Sequence, residues 1–225
     1  MWCVAPGKRA PDMVGRANQS LKRGGGTAKS RRVRRIGLLG GSFNPAHDGH
    51  RHISLAAIRR LGLDEVWWLV SPQNPLKPVE GMSRFEARFS SAKRVARHPR
   101  IRVTGFERDM GLQYTADTLE AIRVRHPDCR FVWLMGADNL GGFHRWERWE
   151  RIAAAMPIAV FARPGYDLRA LAGVAAQRFK HVRLPECRSR TLVKQKPPAW
   201  VFLAIRRHPE SATRIRQVRS GRKTG

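Results

Sequence analysis

Residues 36–50 read Ile36-Gly37-Leu38-Leu39-Gly40-Gly41-Ser42-Phe43-Asn44-Pro45-Ala46-His47-Asp48-Gly49-His50. The apolar run at 36–39 leads into a turn that contains two adjacent glycines. From His50 to Leu61, apolar residues recur at positions 53, 57, 58 and 61, which is the spacing of one helix face. The segment therefore predicts a buried strand, a glycine-rich turn and an amphipathic helix in succession.

Short apolar runs and helical patterns alternate through the rest of the chain. Further strands are predicted at residues 66–70, 101–103, 131–135, 158–161 and 200–205, and further helices at residues 84–96, 115–125 and 148–155. This alternation predicts an α/β fold with a Rossmann-like, doubly wound, mostly parallel sheet and helices on both faces. Ligands of such sheets bind beyond the carboxyl ends of the strands, near the switch in strand order. The turns that follow residues 36–39, 66–70 and 131–135 are therefore expected to line one crevice.

The first 34 residues differ in composition from the rest. They are rich in Gly, Arg, Lys and Ser, and such a segment buries too little apolar surface to fold. We expect a basic, disordered tail at 1–34 and one domain at 35–225.

No apolar run approaches the ~18 residues of a membrane span, and the first twenty residues lack the apolar stretch of a secretory signal. A cytoplasmic protein without a membrane partner is expected.

The net charge of +27 comes from 44 basic and 17 acidic residues. One interpretation is an anionic partner, such as phosphates or nucleic acid. The other is codon usage, because only nine of the 44 basic residues are lysine. The three scattered cysteines, Cys3, Cys129 and Cys187, form no CxxC pair and fit reduced thiols.

The turn after the first predicted strand is suited to bind phosphate. Gly40 and Gly41 let backbone N–H groups approach an anion closely, and the N-terminus of the following helix adds partial positive charge. His47 and His50 are three residues apart, so both imidazoles can face the same way. From these residues alone, two histidines that only cap a helix remain an alternative. The turn is neither a Walker A loop nor a GxGxxG fingerprint.

Motifs along the chain resemble those of a known family. The segment Gly41–His50 resembles the HxGH signature of the nucleotidylyltransferase superfamily, and residues 211–216 (Ser-Ala-Thr-Arg-Ile-Arg) resemble its SxTxxR-type motif, which holds ATP phosphates at a helix start. Three further segments are similar to the YTxxTL, GxDxL…F..W and RPGY motifs of bacterial nicotinate-nucleotide adenylyltransferases: Tyr114–Leu119, Gly136–Trp146 and Arg163–Tyr166. The resemblance covers residues 35–219.

Two positions depart from the family pattern. Asn44 stands where members often carry Asp, so a polar group remains but a charge is lost. The loop at 73–77 reads Gln-Asn-Pro-Leu-Lys and lacks the histidine of the family's NxPPHK loop.

The resemblance implies adenylyl transfer from ATP to nicotinate mononucleotide, which gives deamido-NAD and pyrophosphate in NAD biosynthesis. Direct attack on the α-phosphorus needs no covalent intermediate, so catalysis would consist of positioning and charge stabilisation. Mg²⁺ is the expected cofactor, bound with ATP. No residue is assigned to it, because Mg²⁺ keeps several waters and takes few protein ligands.

The resemblance also implies roles for individual residues. His50, assisted by His47, is expected to contact the α-phosphate as the catalytic pair. ATP contacts are expected from Gly40, Gly41, Ser42, Phe43, Gly49, Asp138, Ser211, Thr213 and Arg216. Acceptor contacts are expected from Asn44, Lys77, Thr115 and Trp146, the last by stacking on the pyridine ring. Ordinary structural roles remain open as well: helix capping for Asp138, Thr115 and the 211–216 segment, core packing for Trp146, and solvation for Lys77.

Two other functions compete with this interpretation. One is another adenylyl- or cytidylyltransferase of the superfamily that acts on a different phosphate acceptor. The other is an Arg-rich nucleic-acid-binding protein, which the charge suggests but which leaves the motifs unexplained. The tail at 1–34 is expected to bind nucleic acid nonspecifically at most. The sequence predicts no particular oligomeric state.

Overall fold

A computed structural model describes residues 32–72, 81–162 and 167–206, together with Ile215. The strands in this part of the chain are β1 (Arg34–Gly41), β2 (Glu65–Val70), β3 (Ile101–Thr104), β4 (Cys129–Gly136), β5 (Ile158–Phe161), β6 (Arg183–Leu184) and β7 (Trp200–Leu203). The α-helices are α1 (Asp48–Leu61), α2 (Phe85–Ala96), α3 (Phe106–Asp109), α4 (Thr115–Arg125), α5 (Ala137–Gly142), α6 (Trp149–Ala155), α7 (Asp167–Ala172) and α8 (Val174–Arg178). Among the same residues, 3-10 helices lie at Phe143–Arg145, Lys180–Val182 and Glu186–Lys194.

The described strands form one sheet in the order β3-β2-β1-β4-β5-β7-β6. Every neighbouring pair is parallel, so the predicted Rossmann-like α/β fold is confirmed, and the sheet is wholly rather than mostly parallel over these residues. The strand order reverses between β1 and β4, since β2 and β3 lie on one side and β5 on the other. The expected ligand crevice is therefore outside the carboxyl ends of β1 and β4.

Alternate residues of each strand face opposite layers of helices. In β2, Trp68 and Val70 pack in the layer that holds residues of α1 and α2, whereas Trp67 and Leu69 pack in the layer that holds residues of α4. Because both faces are covered, the strands are continuous apolar runs without polar alternation. Burial of one leucine of this kind stabilises the fold by about 1.5–3 kcal/mol.

Element boundaries differ from the predicted ones by a few residues. Helix α1 begins at Asp48 instead of His50, and β7 ends at Leu203 instead of residue 205. Helix α6 begins at Trp149, because Arg148 has a left-handed backbone with φ of 52°. The strand β6 and the helices α3, α5, α7 and α8 were not predicted. They have two to six residues each, too few for a periodic pattern to be visible.

The amino-terminal boundary of the domain is set by β1. The strand begins at Arg34. The backbone N–H of Arg35 (2.8 Å) and its guanidinium (2.9 Å) both donate hydrogen bonds to the Asp64 carboxylate. Residues 1–31 lie outside the described residues, so the tail at 1–34 stays a prediction. Over the described ranges, none of the helices has the length and apolar character needed to cross a membrane.

Candidate active site

The turn after β1 comes closer to β4 than a side chain would allow. A Cβ atom on Gly40 would lie 2.4 Å from Cη2 of Trp133, an indole of β4 that is buried in the core. Only glycine fits there unless the indole moves. Gly40, Gly41 and Ser42 line a cavity of about 570 Å³ at the carboxyl end of β1. The glycine-rich turn therefore lies in the expected crevice, and Gly40 is also required for packing.

His47 and His50 together cap the first turn of α1. Nδ1 of His47 accepts the N–H of Gly49 (3.1 Å), and Nδ1 of His50 accepts the N–H of His47 (3.2 Å), which is a capping box. A ring nitrogen that accepts a hydrogen bond carries no proton, so each neutral imidazole holds its proton on Nε2. The capping role and the predicted donor role are therefore compatible. The cap fixes the tautomer that a phosphate donor requires.

The ring of Phe43 is part of the core beneath this turn. It is 1 % exposed, stacks on Trp68 with 5.0 Å between centroids and contacts His50 at 4.7 Å. Its backbone φ of 48° is in the left-handed region, which a non-glycine residue adopts at a cost of about 1–3 kcal/mol. The prediction that Phe43 contacts ATP is therefore limited to its backbone, because its side chain is buried.

Asn44 connects the turn to the residues before α2. Its amide nitrogen donates to the Gly81 carbonyl (2.9 Å), and its Oδ1 accepts the N–H of Ser83 (3.3 Å). An aspartate at this position could accept the second bond but could not donate the first. The predicted acceptor contact of Asn44 stays a prediction, and the structure assigns this side chain a loop-bridging role.

The cavity brings together six of the residues predicted from sequence. Gly40, Gly41, Ser42, Thr115, Asp138 and Trp146 all line it. The capping alternatives for two of them are wrong, because the N-cap residues of α4 and α5 are Tyr114 and Gly136. Thr115 and Asp138 instead lie in the first turns of these helices.

The remaining predicted residues are placed differently. His47, His50, Phe43, Asn44 and Gly49 lie in or after the same turn but are not among the lining residues of the cavity. Lys77, Ser211, Thr213 and Arg216 lie outside the described residues, so their roles stay predictions. Of residues 211–216 the structure describes only Ile215, which is helical.

Trp146 forms part of the cavity wall and is held by edge-on aromatic contacts. Its ring lies 5.6 Å from that of Phe143 at 74°, and 6.4 Å from that of Trp133 at 81°. It is half-buried, while Phe143 and Trp133 are buried. The ring is therefore oriented by the core and also borders the cavity, which a stacking platform for a flat ligand requires.

Three charged residues of the cavity lining, Glu107, Arg145 and Glu147, were not predicted from the sequence. Glu107 is 6 % exposed. Burial raises the pKa of its carboxyl to about 7, against the opposing effect of hydrogen bonds from Ser71 and Thr118. The sequence around Glu107 gave no indication of this role, because its partners come from the turn after β2 and from α4.

Arg145 is the second missed residue. It lines the cavity beside Trp146 and forms no hydrogen bond or ion pair with any residue that the structure describes. By contrast, Arg148 forms a two-pronged ion pair with Asp117 at 2.8 and 2.6 Å. Arg145 could have been predicted as a site residue from the sequence, because it directly precedes Trp146, the predicted stacking residue. Arg145 brings a positive charge to a lining that also contains Asp138 and Glu147, and its guanidinium suits an anionic group of a ligand.

Among the described residues, no three His, Cys, Asp or Glu side chains are grouped so that they could hold a metal ion. Asp138, exposed at the cavity, offers one hard oxygen ligand. This arrangement fits Mg²⁺ that is carried by phosphates and keeps its waters.

Comparison with known proteins places the chain in a family. Residues 38–218 match the cytidylyltransferase-like family model. Proteins named "Probable nicotinate-nucleotide adenylyltransferase" are 50% identical in Cereibacter sphaeroides, over 80% of this chain and 95% of theirs, and 52% identical in Methylorubrum extorquens, over 81% and 98%. The solved nicotinic acid mononucleotide adenylyltransferase of Plasmodium falciparum, complexed with NaAD, shares the fold with a TM-score of 0.59 at 16% identity, over 82% of this chain and 83% of its own. The chain therefore belongs to the nicotinate-nucleotide adenylyltransferase family.

Proposed function

We propose that this protein transfers the adenylyl group of ATP to nicotinate mononucleotide, giving deamido-NAD and pyrophosphate. The observation that carries the proposal is the cavity, because it joins the turn Gly40–Ser42 of β1 to Thr115, Asp138 and Trp146 across the switch in strand order. A predicted phosphate-binding turn and an aromatic ring in the same cavity suit two substrates that both contain phosphate and a flat ring. The family assignment from relatives about 50% identical supports the same reaction.

The reaction is attack of a phosphate oxygen of the acceptor on the α-phosphorus of ATP. The bond from the α-phosphorus to the bridging oxygen breaks, and pyrophosphate leaves. The chain's part is to align the two phosphates and to stabilise the charge that spreads over the α-phosphate oxygens. The Nε2–H groups of His47 and His50 are suited to this, because their tautomer is fixed by the cap. Mg²⁺ bound to ATP would neutralise part of the triphosphate charge.

Arg145 and Trp146 suit the acceptor rather than ATP. They are consecutive residues of the cavity lining, and neither belongs to the glycine-rich turn. If a flat ring stacks on Trp146, the guanidinium of the neighbouring residue Arg145 would favour an acidic substituent on that ring over a neutral one. Lys77, Ser211, Thr213 and Arg216 complete the proposal as predicted phosphate contacts.

The test is a comparison of substrates with the purified full-length protein. Pyrophosphate release is measured with ATP and nicotinate mononucleotide, nicotinamide mononucleotide or phosphopantetheine, and with CTP in place of ATP. We expect the largest kcat/KM with ATP and nicotinate mononucleotide, and deamido-NAD as the product by mass spectrometry. A larger value for another acceptor or for CTP would assign the chain a different reaction of the superfamily.

His50→Ala tests the part of the turn in this reaction. Loss of one preorganised donor typically lowers kcat by about 10²–10³-fold. Loss of the cap would cost α1 only about 1 kcal/mol, which thermal unfolding measures separately. His52→Ala is the control on the same helix, because His52 is not one of the two capping histidines and its Nε2 contacts the Arg206 carbonyl. Near-normal turnover of His50→Ala would contradict the assigned role.

A further inference from the structure

Arg88 is a buried cation on the face of α2 that packs against the sheet. It is 2 % exposed and lies at helical spacing with Phe85 and Ala92, which pack in the same apolar layer. Arginine is almost never fully buried unless its donors are satisfied. The position therefore requires an explanation beyond packing, and the hydrogen bonds of its guanidinium provide one.

The guanidinium binds backbone carbonyls from three segments. Nη1 donates to the carbonyls of Ser42 and Ser71, both at 2.7 Å. Nη2 donates to Pro72 at 2.6 Å, and Nε donates to Ser83 at 2.9 Å. Ser42 belongs to the glycine-rich turn after β1, and Ser71 and Pro72 follow β2. One side chain thus joins the carboxyl ends of two adjacent strands beside the cavity.

The same two strand ends are joined by a second contact. The N–H of Ser71 donates to the Gly41 carbonyl at 3.0 Å, and the side chain of Ser71 is hydrogen bonded to Glu107. Ser42 and Ser71 both line the cavity. Arg88 lies behind this wall, because it contacts the carbonyls of both residues but is not itself a lining residue.

Anchoring the Ser42 carbonyl also fixes the next N–H. The carbonyl of Ser42 and the N–H of Phe43 belong to one planar trans peptide and point in opposite directions. With the oxygen held by Arg88, the N–H of Phe43 points away from the guanidinium. Phe43 is the residue with a φ of 48°, and a strained backbone of this kind persists only where its surroundings hold it.

The charge of Arg88 is not cancelled by an ion pair in the described part of the chain. Burial lowers the pKa of the guanidinium, and Glu86 opposes this effect through space. Arginine nevertheless stays protonated in proteins. Because this positive charge lies behind Ser42 and Ser71, it favours an anion in the cavity that these two residues line.

We propose that Arg88 is a positioning residue of the proposed adenylyl transfer: it holds the turn Gly40–Phe43 against the end of β2 in its phosphate-binding conformation and supplies positive charge behind it. The inference rests on the proposed function but concerns a residue that touches neither substrate. It predicts that replacing Arg88 changes the affinity for ATP and the turnover, and that the predicted acceptor contacts of Thr115 and Trp146 are unaffected.

Arg88→Lys is the decisive variant. Lysine keeps the charge but lacks the planar fork, so it cannot hold the carbonyls of Ser42, Ser71 and Pro72 in the same geometry. We expect kcat to fall by about 10²-fold, as for a misplacement of reacting groups by about 1 Å. We expect Kd for ATP, measured by calorimetry, to rise about tenfold, and KM for nicotinate mononucleotide to stay within about twofold.

A matched destabilised variant separates positioning from stability. Val201→Ala removes buried methyl groups from β7, a strand that is not adjacent to β1 or β2. Both variants are assayed well below their unfolding temperatures, with and without a stabilising osmolyte. The proposal holds if only Arg88→Lys loses turnover and ATP affinity.

Three results would overturn the role of Arg88: unchanged kcat and ATP affinity in Arg88→Lys, equal losses in Val201→Ala, or failure of Arg88→Lys to fold, which would assign Arg88 to stability alone. These outcomes are distinct from failure of the proposed function, which would appear as no transfer by the wild-type protein. Even if the wild-type protein transfers no adenylyl group, the Kd for ATP of Arg88→Lys relative to wild type still tests the role of Arg88.

Discussion

Replacing Trp146 should change the KM for one substrate much more than the KM for the other. Removing its ring in Trp146→Ala should raise KM for nicotinate mononucleotide by roughly tenfold or more, since stacking of a flat ring on an aromatic side chain is worth about 1–3 kcal/mol. KM for ATP should change little. Steady-state kinetics with each substrate varied in turn measures both.

Trp149→Ala is the matched control for Trp146, because Trp149 packs edge-on against Phe143 and Phe179 without lining the cavity. Equal increases of both KM values in Trp146→Ala, or the same pattern in Trp149→Ala, would reject the stacking role and leave packing as the function of the ring.

Glu107 makes stability depend on pH. Its pKa is raised to about 7 from 4.5, so the folded protein keeps the proton over a range in which the unfolded chain loses it. Its contribution to stability is therefore complete below about pH 4.5 and is lost as pH rises through about 7. Glu107→Gln stays neutral and can still accept from Thr118. Relative to wild type, its free energy of unfolding should increase between about pH 5 and about pH 8, by roughly 3 kcal/mol at most. Urea unfolding at several pH values measures this difference, and a pH-independent difference would contradict the raised pKa of Glu107.

Individual residues also show how far the site could be predicted. Gly40, Asp138 and Trp146 were found because each follows a strand or lies in a recognisable motif. Arg88 and Glu107 were missed because their partners come from other elements and become neighbours only in the folded chain. The remaining signal for Arg88 was a charged residue at an apolar position of the helical pattern.

At the level of elements, the contact between β1 and β4 determines the shape of the turn. Gly40→Ala would place a methyl group 2.4 Å from the Trp133 indole. We expect a loss of about 1–3 kcal/mol in stability, together with lower kcat, because the displaced turn is the predicted phosphate site. Thermal unfolding and turnover measured on the same sample check both effects.

Gly141→Ala is the control for Gly40→Ala. A Cβ atom at Gly141 meets no heavy atom within 4 Å, and the residue lies in helix α5, where alanine is favoured over glycine. This variant should keep turnover and wild-type stability or better. If the two alanine variants behave alike, close packing is not the reason for glycine at position 40.

The elements also differ in how well the sequence predicts them. Strands β1, β2 and β4 were predicted because burial on both faces makes them uninterrupted apolar runs. The short helices α5 and α8 escaped detection, because six and five residues show no period of 3.6. The position of α6 depended on the left-handed backbone of Arg148, which composition alone does not indicate.

On the scale of the whole molecule, catalysis and bulk charge should be separable. Because β1 begins at Arg34, a variant that starts at Arg32 keeps the entire described sheet. We expect its kcat and both KM values to match those of the full chain. Its nonspecific affinity for DNA should fall, since such affinity depends on the number of basic contacts and on salt.

Turnover assays and DNA titration at the same ionic strength test the deletion. A large loss of turnover would place residues of the tail in the active site. Retained DNA affinity that ATP fails to compete away would favour the nucleic-acid interpretation of the charge.

The mutual capping of His47 and His50 restricts the chemistry that these rings can perform. Each Nδ1 already accepts a backbone N–H, so a second proton on either imidazole would compete with that bond and loosen the first turn of α1. Proton shuttling by this pair would thus be coupled to fraying of the helix. The arrangement suits a static clamp for negative charge, and a reaction that needs no enzyme-bound base is the kind of chemistry it can serve.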